Sequence, residues 1–378
     1  MAQARDVVVV GAGVIGCAVA YELARRGADV LVMDSRGVGQ GATQASAGML
    51  APYIEGHSRG PLLGLAVRSL SLYDQFVADV GADSGRRIRY ARNGSLEVSI
   101  DDSSDRLQAI ASDLAAANVA CTLLDGAAAH DAEPLVAPDV SAGLLIPEHG
   151  YLVARDFTEA LAAAAEKCGA AFARGEGSRA AVNGGAAPVR RLAPAGRSLR
   201  VEADHWTVMA RRVVLAAGCW SGGVEIDGVP PVPVRPVRGQ LLHLAWSGQP
   251  LRRITWSSRC YLVPLDDGSM LVGATVEEAG FDERTTVAGV RDLLDAACEL
   301  VPQAWQAGFL GARVGLRPGT PDDLPIIGPS NQVPGLIYAT GHYRNGVLLA
   351  PLTAKLVSDL VLDGRTDPAL AITSPDRF

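Results

Sequence analysis

The chain has 378 residues, 48% of them hydrophobic, and a formal net charge of −7. That length supplies two domains with buried cores. The negative field disfavours nucleic acid or an anionic membrane as partner and leaves a small metabolite as the expected one; with no apolar run of membrane-span length, the expected location is the cytoplasm.

The first element is the run Val7 to Val10, which leads straight into Gly-Ala-Gly and predicts a buried parallel strand ending in a tight turn. Gly11 allows the bend, Gly13 lets backbone approach a pyrophosphate, and Gly16 lets the next helix pack close to the strand. That helix is expected from Val14 to Arg26, stopping at Gly27, with its positive N-terminus aimed at a bound anion. Val30 to Met33 is the second strand. Asp34 follows it at roughly the 20-residue distance where a carboxylate meets a ribose 2′-hydroxyl, which argues against a 2′-phosphate. NAD and FAD share this cradle, so the pattern alone leaves the dinucleotide open.

Residues 35–52, rich in Gly, Ala, Ser and Thr, read as a long loop over a ligand. A helix is expected over Pro61 to Val80, strands between Ile88 and Ile100, and an Ala-rich helix over Asp101 to Val119, a first excursion into another domain. Asp156 is the expected cap of a helix running to Cys168, followed by a short strand at Ala170 to Ala173. Arg174 to Val201 reads as a small strand meander, and the buried strand after Arg211 ends at Gly218, a second turn where backbone can approach a ligand. Val232 to Trp246, Cys260 to Pro264 and Ser269 to Thr275 predict antiparallel strands, with a helix over Val287 to Leu300, and Ala312 to Leu316 reads as a further short strand before Arg317. The opening logic then returns as a strand (Leu336 to Ala339), a glycine turn (Gly341, Gly346) and a helix from Val347 to about Leu362.

Six cysteines and six histidines carry no C-x-x-C, H-x-x-x-H or H-E-x-x-H spacing, so no metal is expected and the thiols read as reduced. No G-x-S-x-G turn offers a hydrolytic nucleophile. His57, a loop histidine, is not assigned as a general base.

The opening cradle, Ala-Ala-Gly-Cys-Trp-Ser in mid-chain and Gly-His-Tyr-Arg-Asn-Gly near the end together resemble the amino-acid oxidase family of flavoproteins, from Asp6 to about Leu362. Ser46 to Pro52, Cys260 to Pro264, Gly315 to Asp322 and Gly341 to Pro351 are most similar to the glycine oxidases of bacterial thiamine biosynthesis. The resemblance implies an α/β fold: a Rossmann-type FAD-binding domain (1–85, 145–222 and 315–378) interleaved with an α+β substrate domain built on an antiparallel sheet (86–144 and 223–314). It implies FAD, hydride removal from the α-carbon of a small amino acid, hydrolysis of the imine, and reduction of dioxygen to hydrogen peroxide. It also implies a homo-oligomer, a tetramer in related proteins.

By the same resemblance, Arg317 and Tyr261 hold the substrate carboxylate and Arg344 stands near substrate and flavin. A guanidinium suits the first task because it offers two parallel N–H groups to two oxygens. The cofactor contacts implied are Val14 and Ile15 at the first turn, and Asp34 and Ser35 at the ribose. Ala42, Thr43, Ala47, Gly48 and Met49 lie beside the ring, with His342, Tyr343, Arg344, Asn345, Gly346, Val347 and Leu348 about its pyrimidine end. Monomeric sarcosine oxidases tether their flavin through a cysteine just before a Thr-Pro-Asp stretch. Here that place falls near Gly315, so FAD is expected to be non-covalent. Arg317 to Asp322 also resembles a stretch of D-amino acid dehydrogenases, which pass electrons to a quinone or carrier.

Overall fold

The protein is described by a computed structural model over residues 4–54, 60–100, 104–173, 188–204 and 206–378. His57, residues 101–103 of the expected Ala-rich helix and residues 174–187 of the expected meander lie outside the described residues.

Arg5–Val10 lies at the centre of a sheet with nine strands among the described residues. It pairs in parallel with Val30–Met33 on one side and Thr207–Leu215 on the other. Ala171–Ala173 extends the sheet past Val30–Met33, and Leu336–Thr340 joins Thr207–Leu215 in parallel. Both faces are covered, which is why the first strand reads as unbroken valine. Val8 and Val10 pack with Leu31, Val213 and Leu215, whereas Val7 and Val9 face Ala18 and Tyr21 of the helix Val14–Arg25. That helix is buried along most of its length against the helices Ala154–Lys167 and Gly346–Ser358.

The last of these helices contains Pro351, which cannot donate to the carbonyl of Val347 four residues earlier. The hydroxyl of the fully buried Tyr73 donates to that carbonyl instead. An orphan acceptor is satisfied, and the helix Tyr73–Ser84 is pinned beside the start of Gly346–Ser358.

The second sheet, eight strands among the described residues, is mostly antiparallel. Gly308–Gly319 forms one edge, Arg235–Ala245 lies beside it, and Ser269–Gly273, Tyr261–Pro264 and Ile254–Trp256 follow in order. Strand alternation sorts its side chains. Leu242, Leu244, Leu262, Met270 and Val272 pack on the helix Val287–Leu300, while Leu241, Trp256, Tyr261 and Val263 face the other way.

Three expectations are corrected. The helix predicted over Pro61 to Val80 is two helices, Pro61–Leu70 and Tyr73–Ser84; the Ser71 hydroxyl donates back to the Arg68 carbonyl at 2.8 Å at the break. Asp156 does not cap its helix, whose cap position is Val153; it sits in the first turn and pairs with Arg89 Nε at 2.6 Å. The strand glimpsed at Ala312 to Leu316 runs from Gly308 to Gly319, across position 315. Glycines at 308, 311, 315 and 319 interrupt its apolar alternation and hide its length.

Candidate active site

One cavity of about 370 Å³ opens between the carboxyl ends of the parallel strands and the face of the antiparallel sheet. Of the residues expected at the cofactor, Gly11, Gly13, Val14, Ile15, Asp34, Ser35, Ala42, Thr43, Ala47, Gly48, Met49 and Gly218 line it, together with the whole stretch His342 to Leu348. Tyr261 and Arg317 line it as well. Gly16 does not, and its place explains why: a Cβ there would stand 1.9 Å from the Gly11 carbonyl oxygen, so this glycine seats the helix on the turn.

The turn itself is shaped for a ligand's backbone approach. Gly11 adopts φ +110°, and a Cβ on it would meet the Ala216 carbonyl oxygen at 2.4 Å. Around a Cβ on Gly13 the space is open except for Thr43 Oγ1 at 3.6 Å. No side chain of Gly13 closes the helix N-terminus, and Val14 N–H donates to Thr43 Oγ1 at 3.2 Å. The Thr43 hydroxyl keeps its own proton to offer to a phosphate oxygen. At Gly218, φ +56°, a Cβ would meet nothing within 4 Å. A second helix N-terminus, at Asn345, likewise has no side-chain cap and no acid in its first turn. Two positive helix ends on one cavity, neither with an acid in its first turn, fit an anionic dinucleotide, with one end for the pyrophosphate and the other for a ring that gains negative charge.

Asp34 ends the second strand and is already held in place. One of its oxygens accepts from Ala12 N–H at 2.7 Å, the other from Arg36 N–H at 2.7 Å and Gly37 N–H at 2.9 Å. The oxygen that accepts from Ala12 has a further lone pair for a ribose hydroxyl. Position 315 has no room for a side chain, since a Cβ there would lie 2.9 Å from Ala45 Cβ. The loop carrying Ala42 and Ala45 rests directly on this glycine.

At the substrate end, pairing register puts the expected residues on one face. Trp256 lies opposite Tyr261, Tyr261 opposite Gly273, and Arg317 opposite Val237. The Trp256 and Tyr261 rings are 5.0 Å apart and tilted by 55°. Arg317 Nη1 donates to the Thr275 carbonyl at 2.9 Å and to the Arg238 carbonyl at 3.4 Å. The turn with Arg344 is fixed beside it, because Tyr343 N–H donates to the Pro318 carbonyl at 3.0 Å. Arg344 is exposed at the cavity rim and leans over the Tyr343 ring.

Burial removes two titratable groups from acid–base work. The His342 imidazole is pushed down to about 3 by complete burial and shares a hydrogen bond with Thr353 Oγ1. The Cys219 thiol is pushed up to about 12, again mainly by burial. Among the described residues, no group of three or more His, Cys, Asp or Glu side chains is placed to hold a metal, and no helix is long and apolar enough to cross a membrane.

Several lining residues escaped the sequence reading. Gly239, Trp256, Trp220, Arg36 and the stretch Pro188 to Arg190 all border the cavity. A glycine inside a strand pattern, as at Gly239, signals a close approach and could have been read that way. Arg36 and Trp220 gave no such signal. They meet through the fold, with the guanidinium 4.3 Å from the indole and paired to Glu283 at 2.9 Å.

Residues 6–360 match the family of FAD dependent oxidoreductases called DAO. The chain is 35% identical over 371 residues to a bifunctional protein ThiO/ThiG of Nostoc sp., covering 97% of this chain and 54% of that protein. It thus spans about half the length of that relative. It is 32% identical to a glycine oxidase of Geobacillus kaustophilus, covering 96% of this chain and 94% of the relative. The crystal structure of glycine oxidase from Geobacillus kaustophilus superposes with a TM-score of 0.91 at 31% identity, over 100% of this chain and 99% of that one. The cradle, the two helix ends and these likenesses agree, and the chain belongs to the DAO family of FAD-dependent oxidoreductases.

Proposed function

We propose that this chain oxidises glycine and other small amino acids to the corresponding oxo acid and ammonia, with dioxygen reduced to hydrogen peroxide. For glycine the balance is glycine, water and dioxygen to glyoxylate, ammonia and hydrogen peroxide. Bound FAD supplies the hydride acceptor and hands the electrons to oxygen. The observation that carries the reading is the presence of Tyr261 and Arg317 on the sheet face that closes the cofactor's own cavity.

The protein's part is positional. Arg317 and the Tyr261 hydroxyl bind the substrate carboxylate, and Arg344 orients the substrate from the rim. With the carboxylate fixed, the α-carbon is held in reach of the ring, which is the main source of rate that a site without a general base offers. His342, neutral through burial, leaves the amine unopposed by a nearby imidazolium. Trp256, 7% exposed and packed on Tyr261, narrows the space beyond the carboxylate and favours substrates without a bulky side chain.

Similarity to bifunctional ThiO/ThiG proteins supports a place for the reaction in thiamine synthesis, where the imine of glycine is consumed. The family resemblance also supports a homo-oligomer. Trp305, Phe309 and Leu310 are exposed at one end of the edge strand Gly308–Gly319, a surface suited to self-association. The experiment is to incubate the yellow protein with glycine in air and measure glyoxylate, ammonia and peroxide. Equimolar release supports the proposal, and flavin reduction without peroxide formation favours the dehydrogenase reading instead.

A further inference from the structure

The Arg317 guanidinium rests on two backbone carbonyls, those of Thr275 and Arg238. Both of those residues send their side chains to one carboxylate, Glu277. Thr275 Oγ1 donates to Glu277 Oε1 at 2.5 Å, and Arg238 donates to Oε2 through Nη2 at 2.6 Å and Nε at 3.1 Å. The carboxylate's remaining site takes Gln240 Nε2 at 2.8 Å. Gln240 is completely buried; its amide also bonds Thr286 Oγ1 at 2.8 Å and Thr286 N–H at 2.9 Å, and its N–H bonds Thr275 Oγ1 at 2.9 Å. Main-chain bonds between Arg238 and Glu277, at 2.9 Å in both directions, close the ring.

We propose that Glu277 is a positioning residue for the substrate carboxylate: it locks the two carbonyls on which Arg317 rests and so aims the guanidinium into the cavity. The inference rests on the proposed role of Arg317. Glu277 does not border the cavity, so its effect passes through the arginine. A satisfied polar network of this kind fixes one geometry, and removing a single acceptor leaves several donors unmatched. In Glu277→Gln the new amide group points its N–H donors at donors already present on Arg238, Thr275 or Gln240. The Thr275 and Arg238 segments then part, and the arginine loses its seat.

The test is a titration of FAD-loaded protein with glycolate, a carboxylate without an amine, followed by the flavin absorbance. Wild type, Glu277→Gln, Arg317→Ala and the double variant are compared, with Thr275→Val as a milder lesion of the same network. We expect Glu277→Gln to weaken glycolate binding about tenfold, equivalent to about 1.4 kcal/mol, at unchanged FAD content. Thr275→Val should weaken it in the same direction. In the Arg317→Ala background the Glu277 substitution should add nothing, a coupling that general loosening of the fold would not give. Wild-type binding in both Glu277→Gln and Thr275→Val overturns the proposal, as does a full additional loss in the double variant. If Arg317→Ala itself binds glycolate as wild type does, the carboxylate reading of Arg317 falls and this inference with it. A loss in Arg317→Ala with none in Glu277→Gln removes the inference alone.

Discussion

A Cβ added to Gly239 would stand 2.3 Å from Nη1 and 2.4 Å from both Cζ and Nη2 of Arg317, so the guanidinium occupies the space that this glycine leaves open. Gly273 does the same for Tyr261, whose hydroxyl oxygen would lie 2.2 Å from a Cβ there. Two glycines inside strands thereby form the floor under both groups assigned to the substrate carboxylate.

Gly239→Ala therefore displaces Arg317. The obstructed atoms are the far end of a flexible side chain, so the fold itself is expected to survive with full FAD content. The expected result is a rise in the glycine KM of about 10- to 100-fold, the size of one or two lost charge-assisted hydrogen bonds at about 1.5–3 kcal/mol. Steady-state kinetics and flavin content check it together; an unchanged KM contradicts the seat.

Gly48→Ala should behave in the opposite way. Gly48 has φ +71°, and a Cβ there would lie 1.7 Å from the Leu152 carbonyl oxygen, which is backbone and cannot swing aside. A destabilisation of about 2 kcal/mol or more is expected from left-handed strain and the collision. Urea unfolding of the purified variant measures it, and a wild-type midpoint rules it out.

Acid should weaken the fold from about pH 6.5 downward, where the histidines of an unfolded chain begin to take up protons. His149 and His342 are both held near 3 by burial, against about 6.5 in an unfolded chain. Below 6.5 the unfolded chain binds protons that the folded chain refuses, so stability is intact above that pH and falls as pH drops towards 3. Each histidine contributes about 1.4 kcal/mol between pH 7.5 and 5.5. Urea unfolding at the two pH values should show a loss of about 2–3 kcal/mol, reduced by half in a folded His149→Gln variant; equal stability at both would refute the burial argument.

Arg36 joins two parts of the chain at the mouth of the cavity. It pairs with Glu283 through both terminal nitrogens at 2.9 Å and stacks on Trp220, which in turn lies 6.2 Å from Phe281. Arg36→Ala should raise the FAD dissociation constant about fivefold, consistent with roughly 1 kcal/mol from a partly exposed ion pair and cation–π contact. Fluorescence titration of apoprotein with FAD reads this directly, and unchanged affinity would exclude the clasp.

Much of the cofactor side was legible because local rules and global fold agree there. The valine run, Gly11, Gly13, Gly16 and Asp34 occupy consecutive positions in one strand, turn, helix and strand, and each glycine has the crowding or openness its position implied. The substrate side was legible only as separate residues. Tyr261 and Arg317 meet through strand register, and nothing local in the sequence carries register between strands so far apart. The support for Arg317 was harder still, since Gln240, Thr275 and Glu277 look like ordinary strand and loop residues until the fold gathers their side chains. The strand Gly308–Gly319 was cut short for a related reason: its glycines, tolerated because the loop at Ala42 and Ala45 packs on Gly315, erase the alternation that marks a strand.

The most direct test of the central claim is an anaerobic titration of the FAD-loaded protein with glycine, with flavin absorbance as the readout, followed by admission of oxygen and a peroxide assay. The account predicts bleaching by glycine and rapid return of the oxidised spectrum with one peroxide per flavin. A flavin that glycine, sarcosine and D-alanine all fail to reduce would contradict it.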